Sequence, residues 1–220
     1  MAKTDMSNSL LNWYKMNGRR WLYWRVHCSP YNILISELFL KKTTAAVVDR
    51  FLPTFLELYP DFDALNNAKL IDLKNFISPL GLSNQRSAQL KNMAQIIVEK
   101  YGGNIPSTKD QLLDLPGIGE YAAGAVLSFA YKIPEVIVDT NIARIISRLH
   151  GIKIPRGELR RNRNIWDKTS ELIISDGQFT CKLNWALLDL GALVCLPKNP
   201  KHNFCPIREY CLFLRGSSDA

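Results

Sequence analysis

Apolar residues in this chain recur at steps of three and four almost from end to end, the spacing that lines one face of an α-helix. Within 31–55 the stripe is marked by Leu34, Leu38, Ala45, Val48 and Leu52. Similar stripes run through 65–77, 85–101, 111–114, 120–131, 142–149, 165–174 and 182–195. Punctuation falls between them, at Ser29-Pro30, Tyr59-Pro60, Pro79-Leu80-Gly81, Gly102-Gly103, Pro116-Gly117, Ile133-Pro134 and Ile154-Pro155-Arg156-Gly157. Only the short run 135–138 alternates as a half-buried strand does. The chain is therefore predicted to be all-α, with helices of about 8 to 20 residues. It carries neither a fixed-period repeat nor a low-complexity linker.

A length of 220 residues is enough to bury a core as one large domain or two small ones. With 47% hydrophobic and 22% charged residues, the chain is neither a disordered tail nor a collagen-like polymer. No uninterrupted apolar run reaches about 18 residues, which excludes a transmembrane helix. The N-terminal stretch lacks the apolar core and cleavage site of a signal peptide, so an intracellular protein without a membrane partner is expected. Lys and Arg number 28 against 20 Asp and Glu, and the resulting +8 favours a polyanionic partner. Four of the arginines, Arg156, Arg160, Arg161 and Arg163, fall within eight residues. That patch reads either as a solvated loop or as a set of phosphate contacts.

Two local motifs bear on chemistry. Leu115-Pro116-Gly117-Ile118-Gly119 separates two helical stretches. Its first glycine can supply a positive φ that closes a hairpin, and its second admits a close approach to the backbone. The helix that follows opens with N–H groups and the positive end of its dipole, a cradle for phosphate. The same motif could be an ordinary corner between helices. Eighteen residues after Tyr121 stands Asp139, at the end of an apolar segment and the mouth of another helix. An aspartate there is commonly an N-cap. Behind a phosphate-gripping hairpin it is also a candidate catalytic carboxylate. Of five cysteines, Cys28 and Cys181 stand apart, whereas Cys195, Cys205 and Cys211 fall within 17 residues. In a reducing compartment that cluster reads as a metal site before it reads as disulfides.

Taken together, the LPGIG hairpin, the Val138-Asp139-Thr140-Asn141 segment and the cysteine cluster resemble the helix-hairpin-helix base-excision DNA glycosylases related to endonuclease III and MutY. The likeness spans about residues 20 to 215. Bifunctional members carry a lysine nucleophile in the helix after the hairpin, and MutY-like members a serine; here the position is Tyr121. Tyrosine is similar to the archaeal-type glycosylases that act on thymine opposite guanine. The segment Pro30-Tyr31-Asn32-Ile33-Leu34-Ile35-Ser36-Glu37-Leu38 matches the one carrying a catalytic glutamate. Gly81-Leu82-Ser83-Asn84-Gln85-Arg86 also resembles the thymine-specific version. The chain stops soon after the cysteines, without sequence for the 8-oxoguanine-reading domain of MutY.

The resemblance implies a two-lobed fold, with a hairpin-bearing helical lobe over 25–132 and a second lobe of 1–24 plus 133–220. Base pocket and Asp139 would lie in the cleft between them. It implies a monomeric enzyme, cytoplasmic or nucleoid in a prokaryotic cell, acting on double-stranded DNA that contains a mismatch. Such an enzyme must extrude its target base, and the duplex gives way most easily at a mismatch. Leu115, Gly117, Gly119, Lys41, Leu82 and Gln85 would meet the DNA. Leu82 would wedge beside the orphan base, unless it packs in the core. Lys41 would enter from the other side, where relatives often carry glutamine. Asp139 would stabilise the oxocarbenium-like sugar and guide water. Glu37 would be a second acid–base group, and Tyr121 would line the pocket unless it is a core aromatic. Without the lysine nucleophile, strand cleavage through a Schiff base should be absent or weak.

The family holds a [4Fe-4S] cluster on C-x6-C-x2-C-x5-C. This chain keeps the spacing with Cys195, His202, Cys205 and Cys211. Taken alone, three thiols and an imidazole suit zinc, whereas the resemblance favours an iron–sulfur cluster with one histidine ligand. A metal-free loop is the third possibility. In each case the loop's Lys198, Lys201 and Arg208 could reach the DNA backbone. The expected activity is removal of thymine or uracil opposite guanine. The rivals are a MutY-like adenine glycosylase and a non-catalytic module that binds DNA structure.

Overall fold

The computed structural model describes residues 2–153, 155, 158–173 and 176–216; Arg156 of the basic patch lies outside them. Among the described residues there are helices and turns and no strand. The helices in chain order are α1 (Ala2–Asn17), α2 (Tyr23–Val26), α3 (Pro30–Leu40), α4 (Ala45–Leu58), α5 (Phe62–Asn67) and α6 (Leu70–Ile77). They continue with α7 (Ser83–Tyr101), α8 (Lys109–Leu113), α9 (Glu120–Phe129) and α10 (Thr140–Leu149). Last come α11 (Arg163–Ile173), α12 (Gly177–Leu193) and α13 (Leu212–Gly216). None of these helices is long and apolar enough to cross a membrane.

The chain divides into two compact units, Arg20–Tyr131 (the hairpin unit) and Met1–Arg19 with Lys132–Ala220 (the terminal unit). The first boundary lies a little earlier than the sequence expectation of 24/25. Its cause is local: the backbone N–H of Tyr23 donates to Asp49 Oδ1 at 2.6 Å, binding residues after Arg19 to the hairpin unit.

In the hairpin unit, α3 begins on Ser29, whose Oγ accepts from the Asn32 N–H at 3.1 Å, with Pro30 in the first turn. The buried stretch of α3, Ile33, Leu34, Ile35, Leu38 and Phe39, allows α4 and α9 to pack against it. Edge-to-face rings fill the space beside it, Phe39 against Phe55 at 4.9 Å and against Phe51 at 5.7 Å. Each buried phenylalanine stabilises the unit by roughly 2–3 kcal/mol through area removed from water. The apolar stripe of 31–55 is not one helix. It breaks between Leu40 and Ala45, where Lys42 takes a left-handed φ of 59°.

In the terminal unit α12 packs against both α1 and α10, and α11 against α10. Ile142, Ile145, Ile146 and Leu149 form the buried face of α10. The strand-like run 135–138 pairs with no strand; Val136, Ile137 and Val138 are buried in an irregular segment instead. A side chain does the work of a ladder there, the Asn184 Nδ2–H donating to Glu135 O at 2.9 Å. A buried ion pair closes the unit's N-terminal end. Arg19 gives Asp189 three donors, at 2.6 to 2.8 Å, and the carboxylate side chain is wholly buried. A partnered charge of this kind is tolerable in a core where a lone one is not.

Candidate active site and DNA-contacting loops

The hairpin joins α8 to α9. Gly117 takes φ 76°, and the Ile118 N–H donates to Leu115 O at 3.1 Å to close the turn. Leu115 and Ile118 are buried side chains that anchor the turn. Leu115 therefore offers a ligand only its backbone, because its side chain is committed to the core. Gly119 caps α9 in ordinary extended backbone, and a Cβ there would meet no atom of the protein. The first turn of α9 thus opens onto clear space, with its positive dipole end outward. Ala122, Ala123, Gly124 and Ala125 are buried, small enough for α3 to come close. Glu37 on α3 and half-buried Tyr121 on α9 accordingly sit on neighbouring helices. Glu37 itself is buried.

The other expected DNA contacts surround the hairpin. Lys41, just past α3, donates from Nζ to Gly117 O at 2.6 Å. Burial lowers its proton affinity, and the nearby Glu37 carboxylate opposes that. Gln89 Nε2 donates to Pro116 O at 3.0 Å, so two side chains hold the turn from behind. Leu82 does not join the core. It is 47% exposed, at the head of α7, with a left-handed φ of 53°. Gln85 is exposed one turn on.

Asp139 is in the terminal unit and caps α10. Oδ1 accepts the backbone N–H groups of Asn141 at 2.8 Å and Ile142 at 2.7 Å, and Oδ2 accepts from Asn141 Nδ2 at 2.8 Å. Burial raises its pKa above the ordinary carboxylate value, against the lowering effect of those donors and of Arg144. Arg144 continues the chain of contacts. It donates to Asn141 Oδ1 at 2.9 Å, Gly191 O at 2.8 Å and Cys195 O at 2.9 Å. Gly191 is required for this: a Cβ would lie 2.5 Å from that of Asn141. Arg148 takes up the next part of the loop, donating to Leu196 O at 2.7 Å, Pro197 O at 3.0 Å and Cys195 Sγ at 3.3 Å.

Cys195, His202, Cys205 and Cys211 all line one small cavity with Arg148 and Arg208. Burial, with the neighbouring sulfurs of Cys195 and Cys211, pushes the Cys205 thiol up to about 11. The His202 ring stacks on that of Phe213 with centroids 6.2 Å apart, and the Arg148 guanidinium lies over the Phe213 ring at 4.9 Å. Three thiols and an imidazole around one cavity are, as donor chemistry, suited to a thiophilic metal or an iron–sulfur cluster. Among the described residues no three His, Cys, Asp or Glu side chains are set to hold a metal ion.

Several residues of these networks escaped sequence reasoning. Thr43 and Gln89 gave no motif, and Arg86 closed the segment 81–86 of the resemblance without a role of its own, although it occupies a core position of the stripe Leu90, Met93, Ala94 and Ile97. A charge on such a stripe is a signal in itself, since it must find buried acceptors. Arg144 lies one turn after Asn141, but its loop partners arrive from far along the chain.

The chain thus carries a helix-hairpin-helix motif closing on α9 and, on the next helix along the chain, α10, a carboxylate cap at Asp139. The chain belongs to the HhH-GPD superfamily of base excision DNA repair proteins, whose family model matches residues 35–168. It is 34% identical to a thymine/uracil-DNA glycosylase of Pyrobaculum aerophilum, over 96% of this chain and 92% of the relative. It is 36% identical to an adenine DNA glycosylase of Buchnera aphidicola, over 92% of this chain but only 56% of that longer relative. The solved structure of a thermostable thymine-DNA glycosylase superposes with a TM-score of 0.89 at 30% identity, covering 97% of both chains.

Proposed function

We propose that this protein is a monofunctional DNA glycosylase of base-excision repair that hydrolyses the N-glycosidic bond of thymine or uracil mispaired with guanine. The observation that carries the reading is Asp139, a half-buried carboxylate held by three N–H donors with both oxygens oriented. The full-length likeness to thymine- and uracil-specific relatives supports the choice of base. The hairpin and Lys41 would bind the phosphates and base edges of double-stranded DNA, and Leu82 would fill the space the extruded base leaves. As the bond to C1′ lengthens, positive charge grows on the sugar. The Asp139 carboxylate would stabilise that charge and orient a water molecule for attack. Glu37 would hold the base or share a proton with it, while Tyr121 closes the pocket. With tyrosine at position 121 there is no amine to form a Schiff base there, so an intact abasic site would be the product. The protein would act as a monomer.

Cys195, His202, Cys205 and Cys211 would hold a [4Fe-4S] cluster, or zinc in its place. Bound there, the group would supply structure, pinning the loop with Lys198, Lys201 and Arg208 rather than entering the reaction. An absorption band at the visible–ultraviolet boundary distinguishes iron–sulfur from zinc.

The test uses duplexes with G·T, G·U, G·A and 8-oxoguanine·A, split into alkali-treated and untreated portions. The reading expects alkali-dependent cleavage at G·T and G·U. Cleavage confined to adenine-containing duplexes would replace it with the adenine-glycosylase reading, which the Buchnera likeness favours. Tight binding without cleavage of any duplex would make the protein a binding module. Borohydride trapping of a covalent DNA adduct would overturn the monofunctional assignment.

A further inference from the structure

Arg86 is a buried arginine whose acceptors all belong to loops outside its own helix. It lies in the first turn of α7 and is only 5% exposed. Its Nη1 donates to Leu80 O at 3.2 Å. Its Nη2 donates to Lys41 O and, at 2.8 Å, to Thr43 Oγ1, whose hydroxyl in turn donates to Leu80 O at 3.3 Å. All of these acceptors are neutral, so the charge is buried without an opposite charge to offset its desolvation.

The loops it joins share a further property. Each holds a non-glycine residue in left-handed backbone, Lys42 at φ 59° and Leu82 at φ 53°. Strain of this type persists only where the surroundings over-determine it. In one loop the strained residue follows Lys41; in the other it is the exposed Leu82 itself. Lys41 reaches on to Gly117 O, bringing the hairpin into the same hydrogen-bonded set.

We infer that Arg86 is a positioning residue that locks the Lys41 loop and the Leu82 loop into one rigid edge, so that both enter the duplex together when the target base leaves it. This rests on the glycosylase reading above and adds to it a residue that touches neither DNA nor the reacting atoms. Without the lock, each loop would have to be ordered separately at the moment of extrusion, and the penalty would fall on extrusion rather than on chemistry.

The experiment compares the wild-type chain with Arg86→Met, Arg86→Lys and Thr43→Val in single-turnover assays on two substrates. One is a G·T duplex. The other carries thymine opposite an abasic site, where no pair has to be broken. For Arg86→Met, the rate on G·T is expected to fall by about tenfold to a hundredfold, the usual scale for misplacement of a reacting group. The rate on the unpaired thymine is expected to fall by about threefold or less, because the costly step has been removed. Arg86→Lys and Thr43→Val should lie between wild type and Arg86→Met, with the same substrate bias. Fluorescence of 2-aminopurine beside the target should report slower unstacking in the same order. Equal losses on both substrates, accompanied by a lower melting temperature, would make Arg86 merely structural and overturn the inference. So would full activity of all three variants. A wild-type protein inactive on both substrates would instead overturn the glycosylase reading on which it stands.

Discussion

The two units both use arginines to fasten loops, but to different ends. In the hairpin unit, Arg86 meets only neutral acceptors and joins two strained loops at their backbones. In the terminal unit, Arg144 ends a series of side-chain contacts that begins at Asp139, and its charge is felt by that carboxylate. The first arrangement fixes the backbones of two loops and leaves Leu82 exposed. The second fixes the direction of one half-buried carboxylate and bears on its charge. Under the proposed function, shape would suit parts that push into a duplex, and orientation and charge the part that faces a developing cation.

The most severe test of this division is at Asp139. Asp139→Asn keeps a good N-cap, so the helix should persist, while single-turnover excision should fall by about a thousandfold. Activity retained at the wild-type level would remove Asp139 from the chemistry. Because burial raises the folded-state pKa above the unfolded value, the folded state binds the proton more tightly. The ionised carboxylate therefore costs stability at neutral pH, and this cost disappears below the unfolded value. Asp139→Asn removes that ionic cost but sets an amide donor against Asn141 Nδ2, so whatever its melting temperature near neutrality, its standing relative to wild type should worsen in acid, as calorimetry across pH would reveal. For the same reason the acid limb of excision should lie above the range of an ordinary aspartate.

Next in size is Arg144→Met, which leaves three oxygens without a donor and should cost roughly 2–4 kcal/mol in urea unfolding, with a loss of excision that the unpaired-thymine substrate does not relieve. The opposite result, relief by that substrate, would erase the contrast with Arg86. Gly117→Ala should cost at least about 1–2 kcal/mol in the same measurement, because its φ of 76° is left-handed and its Cβ would also displace the Gln89 amide from Pro116 O. Gly119→Ala should leave the melting temperature within about a degree, since its Cβ would meet nothing in the protein, yet weaken DNA binding in a titration. The smallest expected effect concerns the Lys41 bond to Gly117 O: Lys41→Gln should lower affinity by less than about tenfold and reduce the salt dependence of binding by roughly one unit of slope.

Helical periodicity and breakers made the all-helical class readable, and Asp139 could be read as both cap and catalytic candidate from its place after an apolar segment. The break between α3 and α4 could not be read. Its apolar spacing continues through the gap, and left-handed Lys42 has no signature of the kind glycine provides. The run 135–138 misled for a related reason: alternation reports one buried face, and an irregular segment tied down by Asn184 satisfies that as well as a strand does. Lys41 entered only through the resemblance, as an expected DNA contact, and its bond to the hairpin depends on two turns meeting in space. Leu82 could equally have been a core leucine, and only its exposure distinguishes the alternatives.

Gly191 contributes no functional group, yet its backbone oxygen and its missing side chain both bear on how Asp139 is held. One added methyl would push against Asn141, the residue that turns the carboxylate. A substitution there would alter none of the side chains proposed to meet DNA or a metal. Under the proposed function it would nonetheless turn the carboxylate aside, so a change that looks like mere packing would silence excision.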